Sequence, residues 1–427
     1  MVLTPQLRDE KRKTAEALLS ALALPEGEAA WAREARARAR TRLLDAGAPI
    51  KRDEYWKYTE PAKLTAPVAL VEADGEPPFD DTAFAGVTAR RARFVQGRFR
   101  PDLSDDLAQS GLAVEALSAV LGQDLSIARE VFGALEADGQ EKVDRPLASL
   151  NTATATEGLV LQATGPVETP VHIRQDQVGD GASPLHHVVR VESGASLTLI
   201  ESGVATNTLM EIDVQPGGTI HHIRLQRAPE RPTATHLFTR LGENSVFKTF
   251  TLTSDGELTR NEIVTDLQGD EATSHIAGAV LGQGESHADN TVFVTHAGEN
   301  CESRQVFKNV LADRARGIFQ GKIFVRPGAQ KTDGYQISQS ILLSETAEFD
   351  AKPELEIYAD DVACSHGSTT GAIDAEALFY LQSRGVPRKA AEAMLVAAFV
   401  DEAIMEIEDD AVADAMRGLV AEWMARR

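Results

Sequence analysis

Near the C-terminus the chain reads Asp360-Asp361-Val362-Ala363-Cys364-Ser365-His366-Gly367-Ser368-Thr369-Thr370-Gly371. One of only two cysteines stands two residues before a histidine. On an extended backbone, residues i and i+2 share a face. Cys364 and His366 would then project side by side, with Ser365 turned away. A thiolate and an imidazole form a soft-to-borderline donor pair suited to zinc or iron–sulfur chemistry. Two donors cannot close a four-coordinate site, so the rest would come from elsewhere in the fold or from another subunit. From Cys-x-His alone, the commoner outcome is a buried thiol beside a hydrogen-bonded histidine.

The other candidate residues give weaker signals. Of ten histidines, His186-His187 and His221-His222 are adjacent pairs. On a strand such neighbours point to opposite faces, and neither pair has Cys or Asp at a ligand spacing, so strand surface or a satisfied core is expected. His275, His287 and His296 would form a site only if they converged across the fold. Cys301 follows Gly298-Glu-Asn and reads as a structural thiol at a corner, with a sulfur carrier as the alternative. No Gly-x-x-x-x-Gly-Lys-Ser/Thr is present, so the chain is not expected to bind ATP itself. Gly-x-Gly-x-x-Gly before a helix, Gly-x-Ser-x-Gly, His-Glu-x-x-His and Cys-x-x-Cys are also missing, which leaves nucleophile-plus-base catalysis without local support.

Composition narrows the classes further. The 427 residues carry a formal charge of −22, which argues against nucleic acid or an anionic membrane as partner. Two distant cysteines make no disulfide framework and fit a reducing compartment. Met1 to Lys13 has no apolar signal core, and no apolar run approaches the roughly 18 residues of a membrane span. The expected location is the cytoplasm.

Three regions must position the Cys-x-His pair. Residues 1–145 read as a helical and mixed region. Glu10–Leu24 and Trp31–Leu44 have helical character, broken by Pro25 with Gly27 and by Gly47 with Pro49. Arg33, Arg36, Arg38, Arg40 and Arg42 suggest a solvated helix surface or, less simply, a binding face. Asp53-Glu-Tyr-Trp-Lys-Tyr58 suggests an aromatic anchor on the core. Pro67, Gly75, Pro77 and Pro78 mark loops. Arg93–Phe99 resembles a strand pair, and Val114–Leu121 and Ile127–Leu135 short helices.

Residues 146–371 lose helical periodicity. Gly194, Gly218, Gly242, Gly269 and Gly298 each lead into a short alternating run. A drifting period of this size, a turn followed by a strand, indicates a solenoid with glycines at its corners. The region is expected to be a β-helix, with a sandwich or jelly roll as the competitor; the absence of Asn-Gly and the scarcity of tight hairpin turns between adjacent runs favour the β-helix. Residues 372–427 return to helix. Asp374 can cap Ala375–Arg384, Gly385 suits the end, and Pro387 opens a second helix whose stripe is Ala391, Met394, Leu395, Ala398 and Phe399. A third helix spans about Ala411–Ala425.

Cys364-Ser-His-Gly-Ser-Thr-Thr-Gly, Leu378-Phe-Tyr-Leu-Gln-Ser-Arg-Gly-Val-Pro387 and Ala390-Ala-Glu-Ala-Met together resemble the C-terminal signature of the SufB/SufD iron–sulfur cluster assembly family. Gly317-Ile-Phe-Gln-Gly-Lys-Ile-Phe-Val and Ala329-Gln-Lys-Thr-Asp-Gly-Tyr-Gln are similar to the same family's core, and Glu54-Tyr-Trp-Lys-Tyr-Thr to a segment of its SufD branch. Ser365 and Gly367 stand where the SufB branch typically has glutamates, which favours the SufD branch. The resemblance is continuous over about 300–407 and weaker over 65–290.

That resemblance implies a right-handed parallel β-helix flanked by helices, mainly β in class. It implies a non-enzymatic scaffold subunit that pairs with a SufB-like paralogue and with two copies of a SufC-like ATPase, the latter through residues 372–427. A transient iron–sulfur cluster would form at the paralogue interface, with His366 contributing and Cys364 beside it. The same interface is open to a homodimer of the isolated chain. The alternatives are a SufB-like main scaffold and a β-helix carbohydrate-active enzyme; few aromatics and no signal segment count against the latter.

Overall fold

The computed structural model describes residues 4–22, 25, 27–70, 83–227 and 231–427. Gly75, Pro77, Pro78 and Leu24 lie outside the described residues. Within them, strands alternate between two sheets as the chain advances: Pro232–Leu241 in one, Val246–Ser254 in the other, then Leu258–Leu267 and Thr273–Gly282. One sheet has nine strands and ends at Glu348–Ile357; the other has ten and ends at Ala363–Gly371. From Val171 onward every named pairing within the sheets is parallel, coil upon coil. The fold is a parallel β-helix, and a sandwich or jelly roll is excluded because those are antiparallel.

Each period holds two strands, not the single turn-plus-strand unit suggested by the glycines, which mark only one of the two corners. The reason for glycine at that corner is direct. A Cβ on Gly269 would lie 2.0 Å from Glu243 N, and one on Gly298 would lie 2.3 Å from Gly269 O. Successive corners thus rest backbone on backbone. Two residues beyond each glycine, Asn244, Glu271 and Asn300 have φ of 54°, 58° and 55°, and their N–H groups donate to the corner of the next coil at 2.8–2.9 Å. Asn tolerates this left-handed conformation better than most residues.

The sheets begin before residue 146. Arg90–Val95 and Leu112–Ala116 are strands of the two sheets, and the first pairs antiparallel with Arg98–Phe99. Val114 therefore lies on a strand, where a helix was expected; the helical turn starts only at Leu117. Antiparallel pairing at this end stops the parallel ladder, since the chain turns back across the first coils.

Both outer faces are covered, which explains why Phe250 and Leu252 point outward while Thr249 and Thr251 point inward. The two apolar side chains belong to a cluster with Val396, Val400, Ile404, Val412 and Trp423 of the C-terminal helices. Thr249 instead accepts or donates at His222 Nδ1, 2.9 Å away inside the coil. The interior mixes apolar ladders with buried polar groups: Glu201 receives His222 Nε2 at 2.7 Å and Arg224 at 2.6 Å. That pairing keeps the Glu201 carboxyl well below its ordinary pKa although burial opposes it.

The N-terminal helices Pro5–Ala21 and Ala30–Ala46 cover the nine-stranded side. Part of the arginine stripe is an internal clamp, not a solvated surface. Arg36 is buried, forks onto Glu28 at 2.8 Å, and donates to the carbonyls of Thr152 and Ala155. Arg42 pairs with the buried Glu136. The aromatic turn is an anchor, as expected: Trp56 stacks on the Arg260 guanidinium, 3.9 Å from ring centroid, and Tyr55 Oη donates to Glu354 at 2.6 Å.

At the other end, Asp374 Oδ1 accepts from Glu376 N and Ala377 N and caps the helix Ala375–Ser383. Gly385 follows with φ +88°. In the next helix, Arg388–Ile404, the buried residues are Ala391, Val396, Val400, Ala403 and Ile404, and Met394 is exposed. The stripe is thus rotated from the one read in the sequence, because branched Val and Ile fill the surface over the sheet. The acidic run Asp401, Glu402, Glu406, Glu408, Asp409 and Asp410, which by sequence is either a solvated face or, on the family resemblance, a contact for the ATPase, is also largely engaged. Glu402 pairs with Lys308, Glu406 with His275 at 2.9 Å and Glu408 with Lys248 at 2.6 Å. Asp401 pairs with Arg417 at 2.7 Å, and Asp409 caps Val412 N. Glu402, Glu406 and Glu408 fasten the helices to the outer face of the ten-stranded sheet.

The corner stack gives a test. Gly269→Ala must separate two backbones and should cost about 3 kcal/mol or more, in the range of severe steric substitutions. Gly328→Ala meets no atom within 4 Å and should be near neutral. Equal melting temperatures for the two variants would contradict the stacked corner.

Candidate functional site at the open end of the β-helix

Strand Ala363–Gly371 is the last of the ten-stranded sheet, and its only ladder partner is Asp333–Leu342. Glu348–Ile357 is likewise last in the other sheet, paired only with Arg316–Val325. The final coil therefore offers two free strand edges. Among the described residues no element of the chain pairs with either.

Cys364 and His366 lie on this coil and share its inward face, as the spacing required. Cys364 is registered on Gly334, and a Cβ there would sit 3.2 Å from Cys364 Sγ and 3.4 Å from Ile323 of the opposite sheet. Glycine at 334 makes room for the sulfur. Ile323, Val325 and Leu355 pack around the half-buried thiol. Burial pushes its pKa up, offset in part by the Gly334 N–H. His366 is registered on Gln336, is exposed at the mouth, and makes no hydrogen bond within the chain. Ser365 is exposed on the other face. Further along the same inward face, Ser368 Oγ and Ser338 Oγ are 3.2 Å apart.

No group of three or more His, Cys, Asp or Glu side chains able to hold a metal occurs among the described residues. Cys364 and His366 have no third donor of that kind beside them. The remaining histidines do not assemble. His275 faces the C-terminal helices at Glu406, His287 faces Thr59 of the N-terminal region at 2.9 Å, and His296 faces inward onto Ser303 at 2.8 Å. The pairs split across their strands: His186 meets Glu211 on the outer face at 2.9 Å, whereas His187 Nδ1 accepts from Leu159 N at 3.1 Å inside. Cys301 is buried, its thiol donates to Gly269 O at 3.2 Å, and burial raises its pKa. A protonated, enclosed thiol fits the structural role.

Sequence reading missed the residues one coil below the pair. The signal existed: Gly334-Tyr-Gln336 precedes Cys364-Ser-His366 by one coil, so that glycine lies under cysteine and glutamine under histidine. Only the register, invisible in a single sequence, turns that spacing into contact.

This end of the fold defines a class. Residues 173–399 match the family model described as "SUF system FeS cluster assembly, SufBD core domain". The chain belongs to the SufBD family. It is 31% identical over 382 residues to the iron–sulfur cluster assembly protein SufD of Escherichia coli (strain K12), covering 86% of this chain and 87% of that one. It is 28% identical to a SufBD family protein of Synechocystis, over 84% of each chain, and 28% identical to SufD of Bacillus subtilis, over 64% of this chain and 66% of that one. No helix among the described residues is long and apolar enough to cross a membrane.

The buried histidines carry a pH dependence. Burial pushes His187, His221, His287 and His296 down to about 4. These rings stay neutral in the folded chain while an unfolded chain protonates them near pH 6.5. Their contribution is fully present above about pH 6.5 and is lost as pH falls from there toward 4. At one pH unit below 6.5, each group costs up to about 1.4 kcal/mol. The urea midpoint should fall clearly between pH 7.5 and pH 5.5; an unchanged midpoint would show that the rings are accessible to protons when folded.

Proposed function

We propose that this chain is the SufD-type scaffold subunit of an iron–sulfur cluster assembly complex, and that its open last coil is the working surface. The observation that carries this reading is the coincidence of two features. The two free strand edges at the C-terminal end of the β-helix and the Cys364-x-His366 pair lie on one coil. An exposed parallel edge is a template for another chain's strands. A SufB-type paralogue has the same kind of β-helix to offer, so the two can join end coil to end coil. The family relationship supports that partner, and a second copy of this chain could occupy the edge when the paralogue is missing.

In this reading the nascent cluster is cargo, formed at the junction. His366 offers an imidazole nitrogen that nothing in its own chain occupies. Cys364 offers a thiol that must lose its proton to become a ligand, since the thiolate is the binding form. Ile323 and Leu355 exclude water from its flank. The paralogue supplies the remaining donors. The chain needs no catalytic group for this task.

The C-terminal helices are proposed to dock a SufC-type ATPase. The acidic run does not carry that contact, since Glu402, Glu406 and Glu408 hold the helices to the sheet and Asp401 and Asp409 are used within the helices. The apolar surface does: Phe379 and Tyr380 are 72% and 58% exposed on Ala375–Ser383, and Met394 is exposed on the next helix. Large adjacent apolar side chains in water mark an interaction surface. An ATP-driven movement there would reach the last coil through the short link Ala372–Asp374.

The test is anaerobic co-purification of the native complex with wild-type chain and with His366→Ala, identifying every bound protein and the iron and sulfide content. The variant should keep its melting temperature within about 2 °C, since the His366 ring is exposed at the mouth and fills no core. It should still bring down the paralogue and the ATPase, and its cluster yield should fall at least tenfold. A normal yield would overturn the ligand assignment.

A further inference from the structure

Gln336 and Gln305 form a ladder directly beneath His366. Gln305 registers with Gln336, and Gln336 with His366, in three consecutive coils of one sheet. Both glutamines are completely buried. Neither the amide oxygen nor the amide nitrogen of either has a partner within the chain. A buried unpaired amide costs about 1–3 kcal/mol, and four such atoms in a row are unusual in a native interior. The fold also makes room for them. A Cβ on Gly321 of the opposing sheet would lie 2.2 Å from Gln336 Oε1, so glycine at 321 is what admits the amide to the gap between the sheets.

We propose that Gln336 is a positioning residue for His366: its Oε1 accepts the inward ring N–H, which leaves the other ring nitrogen as a lone pair aimed at the mouth of the β-helix. The inference rests on the reading of His366 as a ligand. Neighbouring strands stand about 4.8 Å apart, so registered side chains stack, and rotation of the ring or the amide closes the remaining gap. A histidine that gives a lone pair to a metal generally donates its other N–H to a fixed oxygen, which selects tautomer and ring orientation. Gln336 can do this while its NH2 donates to Gln305 Oε1, so that the lower amide orients the upper one. In that arrangement Gln305 Nε2 still has no partner within the chain, a stability cost retained for the site, as expected where function breaks local rules.

The experiment uses the full-length metal-free chain with ring-15N histidine, in alkaline buffer, with His366→Gln to assign the His366 signals. In the wild type the His366 ring nitrogens should report predominantly one tautomer. Gln336→Leu, which removes the acceptor, should move them toward the mixture of a free imidazole, while Gln336→Glu, which keeps an acceptor, should retain the single tautomer. Identical ring spectra in wild type and Gln336→Leu would overturn the proposal. A tautomer change together with normal cluster yield for His366→Ala would leave the positioning intact and remove the ligand role, so the two failures are distinguishable.

Discussion

A parallel β-helix cannot finish itself. Each strand's N–H and C=O groups need the next coil, and the last coil has none. This chain treats its two ends differently. At the N-terminal end the ladder stops against antiparallel strands, Arg98–Phe99 on one sheet and Leu112–Ala116 on the other. At the C-terminal end Glu348–Ile357 and Ala363–Gly371 are left with bare edges, and the chain departs into helices that pack on the side of the barrel and not across its mouth. Natural proteins usually blunt such edges. Keeping these open, with Cys364 and His366 between them, makes sense if a second β-helix completes the ladder.

The rest of the architecture serves to hold that end in place. The N-terminal region reaches the last coils through Tyr55, whose hydroxyl meets Glu354, and through Lys352, which meets Glu54 at 3.0 Å. The C-terminal helices are tied by Lys248, His275 and Lys308 to Glu408, Glu406 and Glu402, three polar contacts on successive strands of the same sheet. Lys308 is itself nearly buried, so its pairing is less screened than a surface contact. Helical covers on both faces leave the coil end as the main surface at which backbone hydrogen bonds can still be made.

Much of this was legible in the residues. The glycine period gave the solenoid because Gly269 and Gly298 pack on backbone atoms that no side chain could approach. Cys-x-His placed two donors on one face because a strand has period two. Asp374 and Gly385 bounded a helix by local capping chemistry. What could not be read depended on tertiary partners. Arg36 looked like a surface arginine until Glu28 and two carbonyls were brought to it. Met394 looked like core until Val396 and Val400 proved to face the sheet. The acidic run looked like a docking surface because its basic partners, Lys248, His275 and Lys308, are far away in sequence. Gln336 could not be placed by its spacing alone, since only the coil register puts it under His366.

The central claim is that the last coil is completed by a paralogous β-helix. Hydrogen exchange of the backbone amides in Glu348–Ile357 and Ala363–Gly371 tests it most directly, in the dilute isolated chain and after adding a SufB-type partner. The account predicts slow exchange in both strands only in the complex, with the inner strand Thr273–Gly282 protected throughout. A complex that forms while both terminal strands keep exchanging as in the isolated chain would contradict it.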